Sequence, residues 1–393
     1  MISARLDSIV ESPTIAVMDR ARALRQQGID VVDFGPGEPD FTTPRHILEA
    51  GANAILAGDT HYTPSRGIPR LRQASAEKLE VDSGLSYHPD REVIVTASSK
   101  LALVIAALTL LDKGDEALVL DPSWVSYDAI VRLAEATPVH VALDGERGFE
   151  ITEAALEAAV TPRTKLIIVN TPNNPTGRVH GLAELEAVAA VVRRHGLIAV
   201  SDEIYEKILF DGRQHVSLAS LPGMRDRTIT INGFSKGYAM TGWRLGYLAA
   251  DAAITTELLK VQQHTIGSAA SFVQTAAVQA LVGTQAPVDE MREEYQARRD
   301  LVVAGLNTLP GVRCHPPEGA FYAFPNVANC GFPSSAAFAE HMLSEVHVAL
   351  TPGEAFGESV QGHVRLSFAT SRETIEKGIA RLAEALKRPV AAR

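Results

Sequence analysis

The sequence predicts an α/β protein: a large domain with a mostly parallel sheet covered by helices on both faces, and a smaller α/β domain made from both chain ends. Three observations carry this expectation. Short β-branched runs alternate with longer helical patterns through the middle of the chain. After "TITING" (Thr228–Gly233) the pattern turns mainly helical, then mixed. The stretch before about residue 45 is too short to form a core alone. The expected division is 45–285 for the large domain, with 1–44 and 286–393 together forming the small one.

In chain order, "EVIVTAS", "EALVLD", "PVHVAL", "KLIIVN", "LIAVSDE" and "TITING" read as strands. Helical patterns fall at 100–111, 124–135, 152–160 and 181–195, between or beside those strands. Further helices are expected at about 252–264, 268–282 and 289–308. "GAFYAF" and "GHVRLSF" read as strands, and 372–387 as a closing helix. The apolar run "LALVIAALTLL" has 11 residues, short of the roughly 20 a membrane span needs, so it reads as a buried helix.

Composition narrows the function classes. The chain has 393 residues, 46% hydrophobic, enough for a sizeable core and two domains. Its 37 basic and 47 acidic residues give a net charge of −10, and no long basic run offers a surface for nucleic acid. Small anions remain open as ligands. Two cysteines, Cys314 and Cys330, make no disulfide framework. The N-terminal stretch is broken by charges and has no apolar signal region. Both features fit a reducing, cytoplasmic setting.

Several familiar motifs are absent. "GPGEPD" begins like a dinucleotide loop, but Asp40 stands where the third glycine of GxGxxG belongs. There is no GxxxxGK[ST], HExxH or GxSxG, and the 12 histidines lack ligand spacing, so no metal is expected.

The informative residues follow the strands, where open α/β sheets bind ligands. In "VTASSKLALV" a strand meets a helix start, whose free N–H groups suit a phosphate. Ser98 and Ser99 read either as plain helix caps or as added hydroxyl donors. In "VNTPNNPTG", Asn174 sits in a turn that needs no function, yet projects at a strand's carboxyl end. In "LIAVSDEIYEKI", Asp202 ends a buried strand, where a carboxylate needs a cationic partner or a cap; Tyr205 is three residues on. In "NGFSKGYAMTGWRLGY", Lys236 follows Ser235 just after a strand, and Arg244 lies among glycines. A sheltered lysine has a lowered pKa and serves as an amine nucleophile, while arginine grips phosphate through a planar fork. One ligand needs all these parts: a phosphate, an aldehyde and a basic ring nitrogen, as in pyridoxal 5′-phosphate.

The chain also resembles the class I pyridoxal-phosphate aminotransferases, in particular the bacterial aspartate aminotransferase subgroup. The resemblance runs from "PTIAVMDRARAL" through "GEPDF", "HYTPSRGIPRLR", "VSYDAIVRLA", "PRTKLIIVNTPNNPTG", "VSDEIYE" and "SKGYAMTGWRLGY" to "HVRLSFATS". It implies the fold of the fold-type I pyridoxal-phosphate enzymes, with the cofactor in the large domain. It implies that Lys236 is the Schiff-base lysine, with Asp202 pairing the pyridinium nitrogen. Tyr205 and Asn174 correspond to the pair bonding the ring's phenolic oxygen. Arg244, Ser98, Ser99, Lys100 and Ser235 correspond to the phosphate cup, and Trp124 to the ring that stacks on the cofactor. Tyr62 resembles a tyrosine that reaches a neighbouring subunit's phosphate, which implies a homodimer with shared active sites. Arg365 corresponds to the clamp on the substrate α-carboxylate, with Gly37 and Asn174 beside it.

Two departures stand out. The cup reads Ser98-Ser99-Lys100 where Gly-Gly-Lys is common in the subgroup, and Gly233 replaces a serine found in many relatives. Gly233 removes one phosphate hydroxyl, and Ser98 is placed to supply another. The segment "QQHTIGSAASFVQ" also lacks the Asn-Pro or Ser-Pro often found there, in a region that lies near substrate in the family. In the subgroup, a lysine at position 100 with hydroxyls near Ser12 and Thr14 goes with acidic side chains. The implied reaction is therefore ping-pong amino transfer between an acidic amino acid, such as aspartate or glutamate, and a 2-oxo acid. The alternatives are an aromatic, prephenate-like or specialised substrate, or another reaction of the same cofactor, elimination or cyclisation. A transcriptional effector module is disfavoured, since the family motifs begin near residue 12 and leave no room here for a DNA-binding domain.

Overall fold

The structure, a computed structural model, describes residues 2–11 and 13–387. Its strands in chain order are β1 (Val32–Asp33), β2 (Val93–Thr96), β3 (Glu116–Asp121), β4 (Thr137–Ala142), β5 (Thr164–Asn170) and β6 (Ile198–Asp202). There follow β7 (Thr228–Gly233), β8 (Gly246–Ala249), β9 (Tyr322–Ala323), β10 (Val348–Ala349), β11 (Thr351–Pro352) and β12 (Val364–Ser367). Seven of these form the central sheet, in the order β2-β8-β7-β6-β5-β3-β4.

All six strands predicted for the large sheet are present, and the β3, β4, β5, β6 and β7 pairings are parallel. The seventh strand, β8, is antiparallel to both β2 and β7. The sequence predicts no strand between "TITING" and the helix expected at about 252–264. The four residues of β8 are too few to stand out beside the long helix Ala252–Thr265, and their ladder partners are remote in sequence.

Side chains alternate across a strand, so a sheet buried on both faces needs apolar residues at successive positions. Ala117, Val119, Leu166, Ile168 and Val200 pack on one face with helices Ser99–Leu110, Ser126–Leu133 and Ala252–Thr265. Leu118, Leu120, Ile167, Val169 and Ala199 pack on the other with Glu153–Ala159 and Leu182–His195. Helices Pro69–Ser83 and Ser271–Val282 cover the β2–β8 end through Val93, Val95, Tyr247 and Ala249.

The later part of the chain forms a three-stranded antiparallel sheet, β11-β12-β9. "GAFYAF" yields only two strand residues, and the helix expected at 289–308 runs Ala286–Leu306. β1 pairs in parallel with β10, and Arg20 Nη2 donates to Glu340 Oε1 at 2.8 Å, so the N-terminal segment is built onto the C-terminal one.

A buried ion pair ties this scaffold to the loop after β6. The Lys78 ammonium, on helix Pro69–Ser83, pairs with Glu206, the two side chains being 8% and 7% exposed. Breaking a buried pair by removing one member leaves an uncompensated charge. Lys78→Met is expected to lower unfolding stability by about 3–5 kcal/mol. Urea denaturation should show this as a lower midpoint at unchanged m-value.

Candidate active site

The carboxyl ends of the parallel strands converge on one cavity of about 310 Å³. β2 leads into Ser98, Ser99 and Lys100; β3 into Trp124; β5 into Asn174; β6 ends in Asp202 and leads into Tyr205; β7 leads into Ser235 and Lys236. Because β8 runs the other way, Arg244, two residues before it, lies at the same edge. Gly37, Thr14 and Arg365 close the cavity from the small-sheet side. Ser12 lies outside the described residues. Tyr62 does not line this cavity; it is fully exposed on the chain.

Asp202 is buried and accepts from the Tyr127 hydroxyl at 2.8 Å and from the Ile204 N–H at 3.3 Å. Burial raises its pKa from 3.8 to about 6 against the opposing effect of those hydrogen bonds. Lys236 donates to the Gly37 carbonyl. Its pKa falls from 10.5 to about 8, chiefly through desolvation. Arg365 is buried: Nη1 donates to Asn174 Oδ1 at 3.0 Å and Nη2 to the Gly35 carbonyl at 2.7 Å, and among the described residues it pairs with no carboxylate and Nε has no partner. Burial lowers its pKa too. A buried guanidinium with an unused N–H is a receptor for an anion.

A second place whose chemistry suits an anion is the start of helix Ser99–Leu110. Ser98 Oγ accepts from the Leu101 N–H at 3.2 Å, which leaves its own proton free to donate. Ser98 has φ 127°, a conformation that favours glycine and costs a serine about 1–3 kcal/mol. Ser99 departs from the expectation of two serine donors. Its hydroxyl points into the sheet and donates to the Asn232 carbonyl at 3.0 Å, so its only proton is committed. Arg244 Nη1 donates to the Thr241 carbonyl at 2.7 Å. Lys100 stands at the mouth with its ammonium 4.8 Å from the Trp124 ring centre. Partial burial and then Arg244 lower the Lys100 pKa.

Three wall residues escaped the sequence reading. Tyr322, expected only as part of a strand, places its hydroxyl 2.9 Å from that of Tyr205 and its ring 4.6 Å from the Arg365 guanidinium. A Cβ on Gly37 would lie 2.5 Å from the Tyr322 hydroxyl, which explains the glycine. Tyr127 sits on a helix whose period gave no hint of its bond to Asp202. Asn170 donates to the Asp202 carbonyl at 2.9 Å and accepts from the Asn174 N–H at 2.8 Å, holding two site loops together. Ligand atoms of Glu203, Glu206 and His215 lie within 4.8 Å of one another. Lys78 and the 2.9 Å His215–Glu203 contact supply their positive partners within the protein.

The family described as aminotransferase class I and II matches residues 29–382. An aspartate aminotransferase of Musicola paradisiaca is 42% identical over 98% of this chain and 96% of its own length. An aspartate/prephenate aminotransferase of Cereibacter sphaeroides is 43% identical over 97% of each. Among solved structures, aspartate aminotransferase from Thermus thermophilus with maleate superposes with a TM-score of 0.94 at 41% identity, covering 98% of this chain and 99% of that one.

The shifted carboxyl carries a pH signature. Without a bound cation, folded Asp202 keeps its proton up to about pH 6, whereas the unfolded chain releases it near 3.8. Stability should therefore fall by roughly 3 kcal/mol as pH rises through that window. Asp202→Asn should remove this slope from urea melts of cofactor-free protein between pH 4 and pH 7.

Proposed function

The chain belongs to the class I and II aminotransferases, and from that premise we propose that it uses pyridoxal 5′-phosphate to move an amino group between an acidic amino acid, such as aspartate or glutamate, and a 2-oxo acid. The observation that carries the reading is one cavity lined by three groups: the half-buried Lys236 amine with its pKa lowered to about 8, the buried Asp202 carboxyl with its pKa raised to about 6 and the buried Arg365 guanidinium with an unpartnered Nε.

These residues fit the cofactor. The free N–H groups at Ser99 and Lys100, the Ser98 and Ser235 hydroxyls and Arg244 would hold its phosphate. Asp202, which has no cationic hydrogen-bond partner, would gain one in a protonated ring nitrogen and ionise. Tyr205 and Asn174 would bond the phenolic oxygen, and Trp124 would cover the ring. When bound, the cofactor supplies an aldehyde for the amino group and a ring that accepts electrons from the substrate α-carbon.

The chain's own residues do the rest. Arg365 binds the α-carboxylate and orients the α-carbon toward Lys236. Lys236, with a pKa near working pH, takes the α-proton and returns it on the cofactor side. Buried walls keep water from competing for that proton. The first keto acid leaves before the second enters, which gives ping-pong kinetics. Lys100 and Thr14, which line the same cavity, are the contacts proposed for a distal carboxylate. A second reading, an aromatic or prephenate-like partner, is favoured by Ile15, Met18 and Leu103 in the same lining.

The active form in this reading is a homodimer with shared sites. Tyr62, Ile55 and Leu56 are exposed together on one stretch, which suits burial against a second copy. The proposed division into 45–285 and 1–44 with 286–393, and a cytoplasmic location, belong to the same reading. Among the described residues no helix is long and apolar enough to cross a membrane.

Borohydride reduction should fix the cofactor on the peptide containing Lys236, and a labelled peptide from elsewhere would refute the assignment. Lys236→Ala should abolish transamination with an unchanged circular dichroism spectrum. Lys100→Ala should lower kcat/KM for aspartate by about 10–100-fold, the worth of a charge-assisted hydrogen bond, with a smaller effect on aromatic donors. Unaltered aspartate turnover would sink the acidic assignment. Conversion of the bound cofactor to its amine form by aspartate distinguishes transfer from elimination.

A further inference from the structure

The two departures at the cofactor site meet in space. Gly233 ends β7 and lies opposite Gly246, the first residue of β8. The pair leaves a hollow in the floor beneath the start of helix Ser99–Leu110, and the Ser99 side chain fills it. A Cβ on Gly233 would stand 2.4 Å from Ser99 Oγ. A Cβ on Gly246 would stand 2.5 Å from the Ser99 backbone nitrogen and 2.9 Å from its Oγ. Real Cβ atoms do not approach that closely, so the glycines are a condition of the fit. The Ser99 hydroxyl then donates to the carbonyl of Asn232 at 3.0 Å, and all four residues are buried.

The joint has consequences for what it connects. Lys236 lies three residues beyond Gly233, and Arg244 two residues before Gly246. The helix start supplies the remaining phosphate donors. The depth to which Ser99 sinks between the strands therefore sets the separation between the anion site and the amine. We propose that Ser99 is a positioning residue: its hydroxyl keys into the Gly233–Gly246 hollow and holds the phosphate cup at the distance from Lys236 that the cofactor requires. This rests on the cofactor reading above. The hydroxyl acts through the strand and not on the phosphate.

The test is a rescue series in the full chain: Gly233→Ala, Ser99→Gly, the double variant, and Gly246→Ala with and without Ser99→Gly. Each is stripped of cofactor, then titrated with pyridoxal 5′-phosphate by absorbance, and the thermal midpoint of the stripped protein is recorded. Gly233→Ala should weaken cofactor binding by about tenfold or more, or fail to fold, because two packed groups contest one site. Ser99→Gly alone should weaken cofactor binding, because the hollow is left unfilled and the bond to the Asn232 carbonyl is lost. The double variant should bind better and melt higher than Gly233→Ala without reaching the parent: the new Cβ fills the hollow, and Ile204 Cδ1 and the Leu245 carbonyl at 3.1 Å need give by only a few tenths of an ångström, but the bond to Asn232 stays lost. Gly246→Ala should not be rescued, because its clash is with backbone. A harmless Gly233→Ala, a double variant no better than Gly233→Ala, or equal rescue of Gly246→Ala would overturn the proposal. Failure of the parent to bind the cofactor would overturn the cofactor reading instead, and the midpoints of the stripped variants would still report whether the joint exists.

Discussion

Withdrawing Asp202, Lys236 and Arg365 from water around a single cavity is the constraint on which the rest of this structure depends. Among the described residues none of the three forms an ion pair, and each shifts toward its neutral form. Hydrogen bonds offset part of the cost: Tyr127 to Asp202, Lys236 to the Gly37 carbonyl, and Arg365 to Asn174 and Gly35. The remainder is available to a ligand of opposite character at each point. A cationic ring nitrogen, an electrophilic carbonyl and a carboxylate would relieve all three together, so binding and catalysis draw on the same stored desolvation.

Such a site needs a stiff frame, which the sheet supplies. Its parallel strands deliver their carboxyl ends to one edge, and the buried apolar residues on both faces resist movement of that edge. The reversal at β8 matters as much as the parallel pairs. A parallel strand there would carry Arg244 to the opposite edge, away from the helix start with which it lines the cavity. Neighbouring loops are then stitched by short polar links such as Asn170 and the Tyr205–Tyr322 hydroxyl pair.

Much of this was legible in advance. The six parallel strands and most helices follow from runs of apolar residues with a clear period. Lys236, Asp202, Asn174 and Arg365 stand just after or within those strands, and their chemistry is legible from residue type. What was missed had no local signal. β8 is four residues long and takes its identity from two ladders. Tyr127 and Tyr322 look like ordinary helix and strand residues until their hydroxyls are seen to meet Asp202 and Tyr205.

The sequence by itself determined the inventory: which reactive groups exist and which strand ends carry them, because period and local composition encode both. Only the tertiary structure decided how each group is used. Ser98 and Ser99 are adjacent and identical in type, yet one hydroxyl accepts from its own helix and the other donates to a carbonyl 133 residues away. The physical reason is that a hydroxyl has a single proton, and its recipient is set by which distant strand the fold brings beneath it.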